Sequence, residues 1–227
     1  MANLTKKILG NVSGALGDIV FRERNGSNII ALRPSSFNTP SDPTSVERRG
    51  KFTMAVKLSS AINVNSALKS LWEPVAPSGL TPFNYLVKRN YIYVTSANPG
   101  NIIELVPQGG FPFTATNVDP AATRFELTIS ALGTNNGIDT GVEVNIQTLS
   151  VLFMSEPSGE NVEPYTFLTL SSGVQPLSLT DPITFVSPLV SSQTLLYNQY
   201  TNFKMYFTLV TLDAAGKIIH HSVTEAS

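Results

Sequence analysis

Hydrophobic and polar positions follow two rhythms along this chain, and the change comes near residue 90. In the first stretch, GDIVFRER and SNIIALR are β-prone runs joined by Asn25-Gly26. That pair predicts a two-residue hairpin, since a type I′ turn needs positive φ at both central positions. Ile19 and Phe21 alternate with Val20 and Arg22, so neither face is purely apolar. Such a hairpin is expected to be covered on one side and partly polar on the other.

Pro34, Pro40 and Pro43 disfavour helix and predict an extended connector. A helix is expected from about Ser45, with Thr44 and Glu47 in capping-box spacing. It can place Phe52, Val56 and Ser59 on one stripe with Ala55 and Ile62 beside them, leaving Arg48, Arg49 and Lys51 toward the remaining surface. Gly50 weakens this helix without forbidding it. Asn65 or Ser66 is placed to cap a short helix through ALKSLW, and Trp72 to anchor the helical layer on a neighbour. Thr81-Pro82 starts another, with Phe83, Leu86 and Val87 on its apolar face and Lys88-Arg89 at its end.

From Tyr91 the period becomes that of strands. YIYVTS and IIELV are short β candidates, and Arg124–Ser130 alternates strictly, as a sheet with one wet face requires. In GVEVNIQTLSVLFM, Val142, Val144 and Ile146 share one phase, whereas Leu149, Val151 and Phe153 share the other. A bulge or a crossing between sheets is the expected cause. YTFLTL, VQPLSL, ITFVS, FKMYFTLVTL and KIIHHSVT complete seven or eight short strands. The predicted fold is mainly β, α+β overall. An N-terminal hairpin and helical module with an extended arm (1–100) precedes an immunoglobulin-like antiparallel β-sandwich (101–227).

Composition narrows the function. The 227 residues are 42% hydrophobic and only 14% charged, which excludes general disorder, and there is no cysteine for disulfides or thiolate chemistry. No secretory signal is expected, because Asn11, Ser13, Asp18 and several glycines break the N-terminal apolar run. No apolar run reaches membrane-spanning length. Residues 1–90 hold twelve Lys/Arg against five Asp/Glu, and residues 91–227 hold three against eleven. Opposed halves fit solvated basic helices equally well as complementarity between copies.

Candidate chemistry is thin. Gly10, Gly14 and Gly17 precede a strand rather than follow one, so they are not a phosphate loop. His220 and His221 are strand neighbours that point to opposite faces and cannot readily share a metal. No Gly-x-Ser-x-Gly elbow is present, and Asn135, Asn136 and Asp139 suit a turn better than a calcium loop. Arg22, Arg24, Arg48 and Arg49 admit a weaker nucleic-acid reading, without interleaved aromatics to stack on bases. No catalytic, cofactor-binding or metal-ligating residue is assigned, and no cofactor is implied.

The order SGxxGxxVFxxRNG, RxxP, PxxP and RxxF is carried here by Ser13, Gly14, Gly17, Val20, Phe21, Arg24, Asn25, Gly26, Arg33, Pro34, Pro40, Pro43, Arg49 and Phe52. It resembles an uncharacterised family encoded by Bacteroidota genomes and their phages and prophages, and PFNYLVKRN (82–90) resembles a second helix of that family. The resemblance covers about ninety residues and implies a phage-linked structural protein with no transferable site. A non-enzymatic component of a phage-type particle, fibre, sheath or filament is therefore expected, made in the bacterial cytoplasm. Its partners would be further copies or other structural subunits, with no membrane. The expected assembly surface comprises Phe21, Arg22, Arg24, Asn25, Gly26, Arg33, Arg48 and Arg49. The alternatives are a monomeric adhesion or carbohydrate-binding sandwich and a packaging protein that binds nucleic acid.

Overall fold

A computed structural model of the chain describes residues 2–4, 14–24, 27–33, 36, 39–134, 136–160 and 162–227. The fold is mainly β. Two compact units divide it, Met1–Val46 and Glu47–Ser227. This differs from the boundary expected near residue 100, because the helices bury their apolar faces in the same core as the large sheet.

The N-terminal unit is one antiparallel sheet: β1 (Ala2–Leu4), β2 (Gly14–Leu16), β3 (Ile19–Arg24) and β4 (Ser27–Leu32), in the order β1-β4-β3-β2. Arg24 pairs in register with Ser27, which leaves a two-residue connection at the expected turn. Asn25 and Gly26 themselves lie outside the described residues. A second hairpin joins β2 to β3 through Gly17-Asp18, with Leu16 opposite Ile19. Gly17 has a φ of +57°, the sign a type II′ turn requires at its first central residue.

The helix α1 (Pro43–Val64) begins in the first unit and runs into the second, where α2 (Ser66–Trp72) and α3 (Pro82–Asn90) precede the strands. The start of α1 corrects the expected cap. Asp42 Oδ1 accepts from the Ser45 N–H at 2.9 Å, with Pro43 at the first helical position. Glu47 instead accepts from the Ser96 hydroxyl at 2.7 Å. Gly50 is needed there, since a Cβ on it would lie 2.6 Å from the Cβ of Ser96. The buried stripe of α1 is Met54, Ala55, Leu58, Ser59 and Ile62, whereas Phe52 is 56% exposed. The stripe is thus rotated from the one expected. Asn65 caps α2 and Thr81 caps α3, each through its side-chain oxygen.

Seven strands build the sandwich. One sheet has β5 (Ala115–Pro120), β6 (Arg124–Ile129) and β10 (Ile183–Pro188), in the order β10-β6-β5. The other has β7 (Asn145–Pro157), β8 (Tyr165–Ser171), β11 (Tyr200–Leu212) and β12 (Ile218–His221), in the order β12-β11-β7-β8. The first, second and fifth strands therefore face the third, fourth, sixth and seventh, an immunoglobulin-like arrangement with the fourth strand on the second sheet. β9 (Gln175–Pro176) and β13 (Glu225–Ala226) pair with β7 and β11. A helix that the sequence reading did not anticipate, α4 (Ser191–Tyr197), precedes β11.

The larger sheet is buried on both sides, which explains the apparent phase slip in β7. Ile146, Leu152 and Met154 pack into the core between the two sheets, with Phe125, Phe185 and Phe207. Leu149, Val151 and Phe153 pack into the helical layer, with Leu58, Trp72 and Leu86. The pairing of β7 with β11 continues to Leu212↔Asn145 without a register shift. Two-sided burial, rather than the expected bulge or crossing, makes both phases apolar.

The two segments expected as strands between Tyr91 and Val106, YIYVTS and IIELV, are not strands. Tyr91–Tyr93 is a 3₁₀ turn, and residues 102–106 are irregular. Side chains satisfy the backbone that a sheet would otherwise pair. Asn90 accepts from the Glu104 N–H at 2.8 Å and donates to its carbonyl at 3.0 Å. The Leu105 N–H donates to Thr224 Oγ1 at 3.1 Å, and the Leu105 carbonyl accepts from Trp72 Nε1 at 2.9 Å. Ile103, Leu105 and Val106 are thereby held in the helical core.

Candidate assembly site

The expected assembly residues fall into both units. Phe21 is half-buried on β3 and Arg22 is exposed on the opposite face. Arg33 is exposed just beyond β4, where its N–H donates to the Asp18 carbonyl at 2.6 Å. Arg48 and Arg49 are exposed on α1, in the second unit.

The β3–β4 hairpin is flanked on both edges over half of its length. β1 pairs with the outer side of β4 and β2 with the outer side of β3. Strand addition, a recognition mode for an exposed strand, is met within the chain only at residues 19–21 and 28–30. What the sheet does present is a face. Cross-strand partners share one side, and the register aligns Leu16, Ile19 and Leu32 in a row across three strands. Leu16 is 72% and Leu32 78% exposed, and Ile19 37%. Phe21 and Ile30, opposite each other, continue the same side. Directly before Ile19, Asp18 occupies the turn, exposed and without an ion-pair partner among the described residues.

The helical layer carries a second apolar surface. Phe52 and Val56 of α1 face Phe83 and Val87 of α3 and Tyr91 across a groove of about 380 Å³, with Lys88 on its rim. Lys51 extends over the Tyr91 ring at 4.8 Å. Phe52 ends the RxxF pattern and Phe83 is the second residue of PFNYLVKRN, so two separate motifs meet at this groove. The sequence signal was present in Phe52, but it was assigned to the core.

Part of the charge asymmetry is consumed inside the chain. Lys57 Nζ lies 3.0 Å from Glu163 Oε2. Arg89 grips Glu104 with two guanidinium nitrogens, Nε to Oε2 at 2.8 Å and Nη2 to Oε1. These pairs join basic helix positions to acidic positions after residue 90. Opposite halves therefore report helix-to-sheet packing as well as any outward field.

The histidines serve separate contacts. His220 Nδ1 lies 3.0 Å from Glu143 Oε1, which also accepts from the Asp139 N–H at 2.8 Å, while Glu143 Oε2 accepts from the Thr211 hydroxyl. Glu143 is 1% exposed. Its burial raises the pKa, but the Thr211, Asp139 and His220 contacts outweigh that and hold the carboxyl below its ordinary 4.5. Nothing local along the chain signals this pairing across seventy-seven residues. His221 turns away, its Nδ1 against the Ser222 carbonyl, and lines an open groove of about 760 Å³ between α2 and the β12 end of the sheet. Among the described residues no hydroxyl is hydrogen-bonded to either imidazole ring. The Glu143 cluster is accordingly a clamp between the 139–143 turn and the β11–β12 hairpin. Asn136 and Asp139 bind neighbouring backbone groups, as turn residues do; Asn135 lies outside the described residues.

The clamp has a defined pH dependence. A depressed carboxyl pKa stabilises the fold above the unfolded value, and the contribution disappears as pH falls through the folded one. At pH 7, Glu143→Gln is expected to cost about 2 kcal/mol in urea unfolding, the scale of hydrogen bonds to a charged group. The deficit should shrink as pH drops below 4.5. A deficit independent of pH would refute the clamp.

No helix among the described residues is long and apolar enough to cross a membrane. No protein-family model matches the chain, and no curated protein matches it.

Proposed function

We propose that this protein is a non-enzymatic structural subunit that assembles through its N-terminal unit, in a particle, fibre, sheath or filament of phage type. One observation carries the reading: a sheet of a single layer with Leu16, Ile19 and Leu32 exposed in one row. A sheet with an apolar face is stabilised by a second layer, and Met1–Val46 contains no helix or second sheet of its own among the described residues before α1 begins. Both buried hydrophobic clusters belong to the second unit. The sandwich and helices therefore have a core without residues 1–40, and those residues are available for association. The phage context rests on the sequence resemblance.

Light scattering on the full chain and on a variant lacking residues 1–40 tests this. The full chain is expected to gain mass with concentration at low ionic strength, and the shortened chain to stay monomeric with its β circular dichroism intact. Equal masses for the two would overturn the proposal.

A further inference from the structure

We infer that the two exposed apolar surfaces are partners: the Leu16–Ile19–Leu32 row of one copy seats in the Phe52–Phe83–Tyr91 groove of another. This rests on the self-assembly reading and adds to it the receiving surface. The dimensions agree. A row across three strands spans roughly 10 Å at ordinary strand spacing, and Phe83 to Tyr91 spans roughly 12 Å at the helical rise. The charges agree as well. Asp18 stands in the turn beside the row, and Lys88 stands on the rim of the groove. Neither has an ion-pair partner among the described residues. Lys51, over the Tyr91 ring, adds a second positive charge next to a groove residue. Arg33 shares this end of the row, exposed beside Leu32, so the match to the groove rests on the Asp18 carboxylate and its aliphatic neighbours, and charge of this kind sets register.

The occupant is a second copy because one chain supplies both halves in equal number. The contact is heterologous: each copy offers a row to one neighbour and a groove to another. Such contacts close into rings or run on as filaments. A self-complementary pairing of two N-terminal sheets would instead stop at a dimer.

Complementation of two blocked chains tests the inference by sedimentation. Leu16→Ser/Leu32→Ser removes the row and leaves the groove, whereas Phe52→Ser blocks the groove and leaves the row. All three positions are more than half exposed, so the second unit keeps its core. The parent is expected to exceed dimer mass with rising concentration, each variant alone to be monomeric, and their equimolar mixture to form a dimer and nothing larger. If each variant is monomeric and the mixture is too, the row does not seat in the groove and the inference is overturned. If the Phe52→Ser chain assembles like the parent, the groove is not the receiver, while assembly through the N-terminal unit survives. A parent that is monomeric throughout overturns both. Charge reversal provides a check that keeps every apolar side chain. Asp18→Lys or Lys88→Glu should each weaken association about 5-fold, the scale of an exposed ion pair, and the two together should restore it; additive weakening would count against the pairing.

Discussion

Trp72→Ala is expected to lower unfolding free energy by about 4 kcal/mol, within the range for removing a buried aromatic ring. Trp72 is 2% exposed and packs edge-on against Tyr85, with ring centroids 5.9 Å apart. Its Nε1 donates to the Leu105 carbonyl at 2.9 Å. Substitution therefore leaves a cavity in the helical layer and an unpaired carbonyl in a segment that has no sheet partner. Trp72→Phe separates the two losses, since it keeps most of the ring and gives up the hydrogen bond, and it should cost about 1–2 kcal/mol. Urea unfolding followed by far-ultraviolet circular dichroism measures both, as the single indole is lost. A cost below 1 kcal/mol for the alanine variant would mean that α2 is not held on the sheet in this way.

Arg89→Ala is expected to cost about 3 kcal/mol, because it strands a carboxylate that is 7% exposed. Gln108 alone would then donate to Glu104, from Nε2 at 2.9 Å. The guanidinium is itself partly open to solvent, so the value sits at the low end for breaking a buried pair. Adding Glu104→Gln to Arg89→Ala should recover about half of the loss, since the neutral amide can be buried at lower cost. The double-mutant cycle gives the coupling by the same unfolding measurement. Additive effects would show that the pair behaves as an ordinary surface contact.

These positions mark where sequence reasoning was sufficient and where it was not. Helix caps at Asn65 and Thr81 were legible because a cap is a contact over two or three residues. Likewise, the strict alternation from Arg124 to Ile129 identified a strand with one face inside. The irregular segment at 102–106 was misread as a strand because its backbone partners, Asn90, Trp72 and Thr224, are remote in sequence. Apolar side chains there follow from burial among helices, and local pattern does not distinguish that burial from a sheet.

Local chemistry by itself determined the hairpin at the front, the three helices, and a strand-rich second half of immunoglobulin-like kind. It also concentrated basic residues in one part and acidic residues in the other. Only the tertiary structure decided that the central strands are covered on both faces, that some of those charges neutralise each other within the chain, and that Phe52 opens outward into a groove. Caps and turns are settled by neighbours along the backbone. Which side of a helix is buried, and which carboxylate meets which guanidinium, depends on surfaces brought together from distant positions.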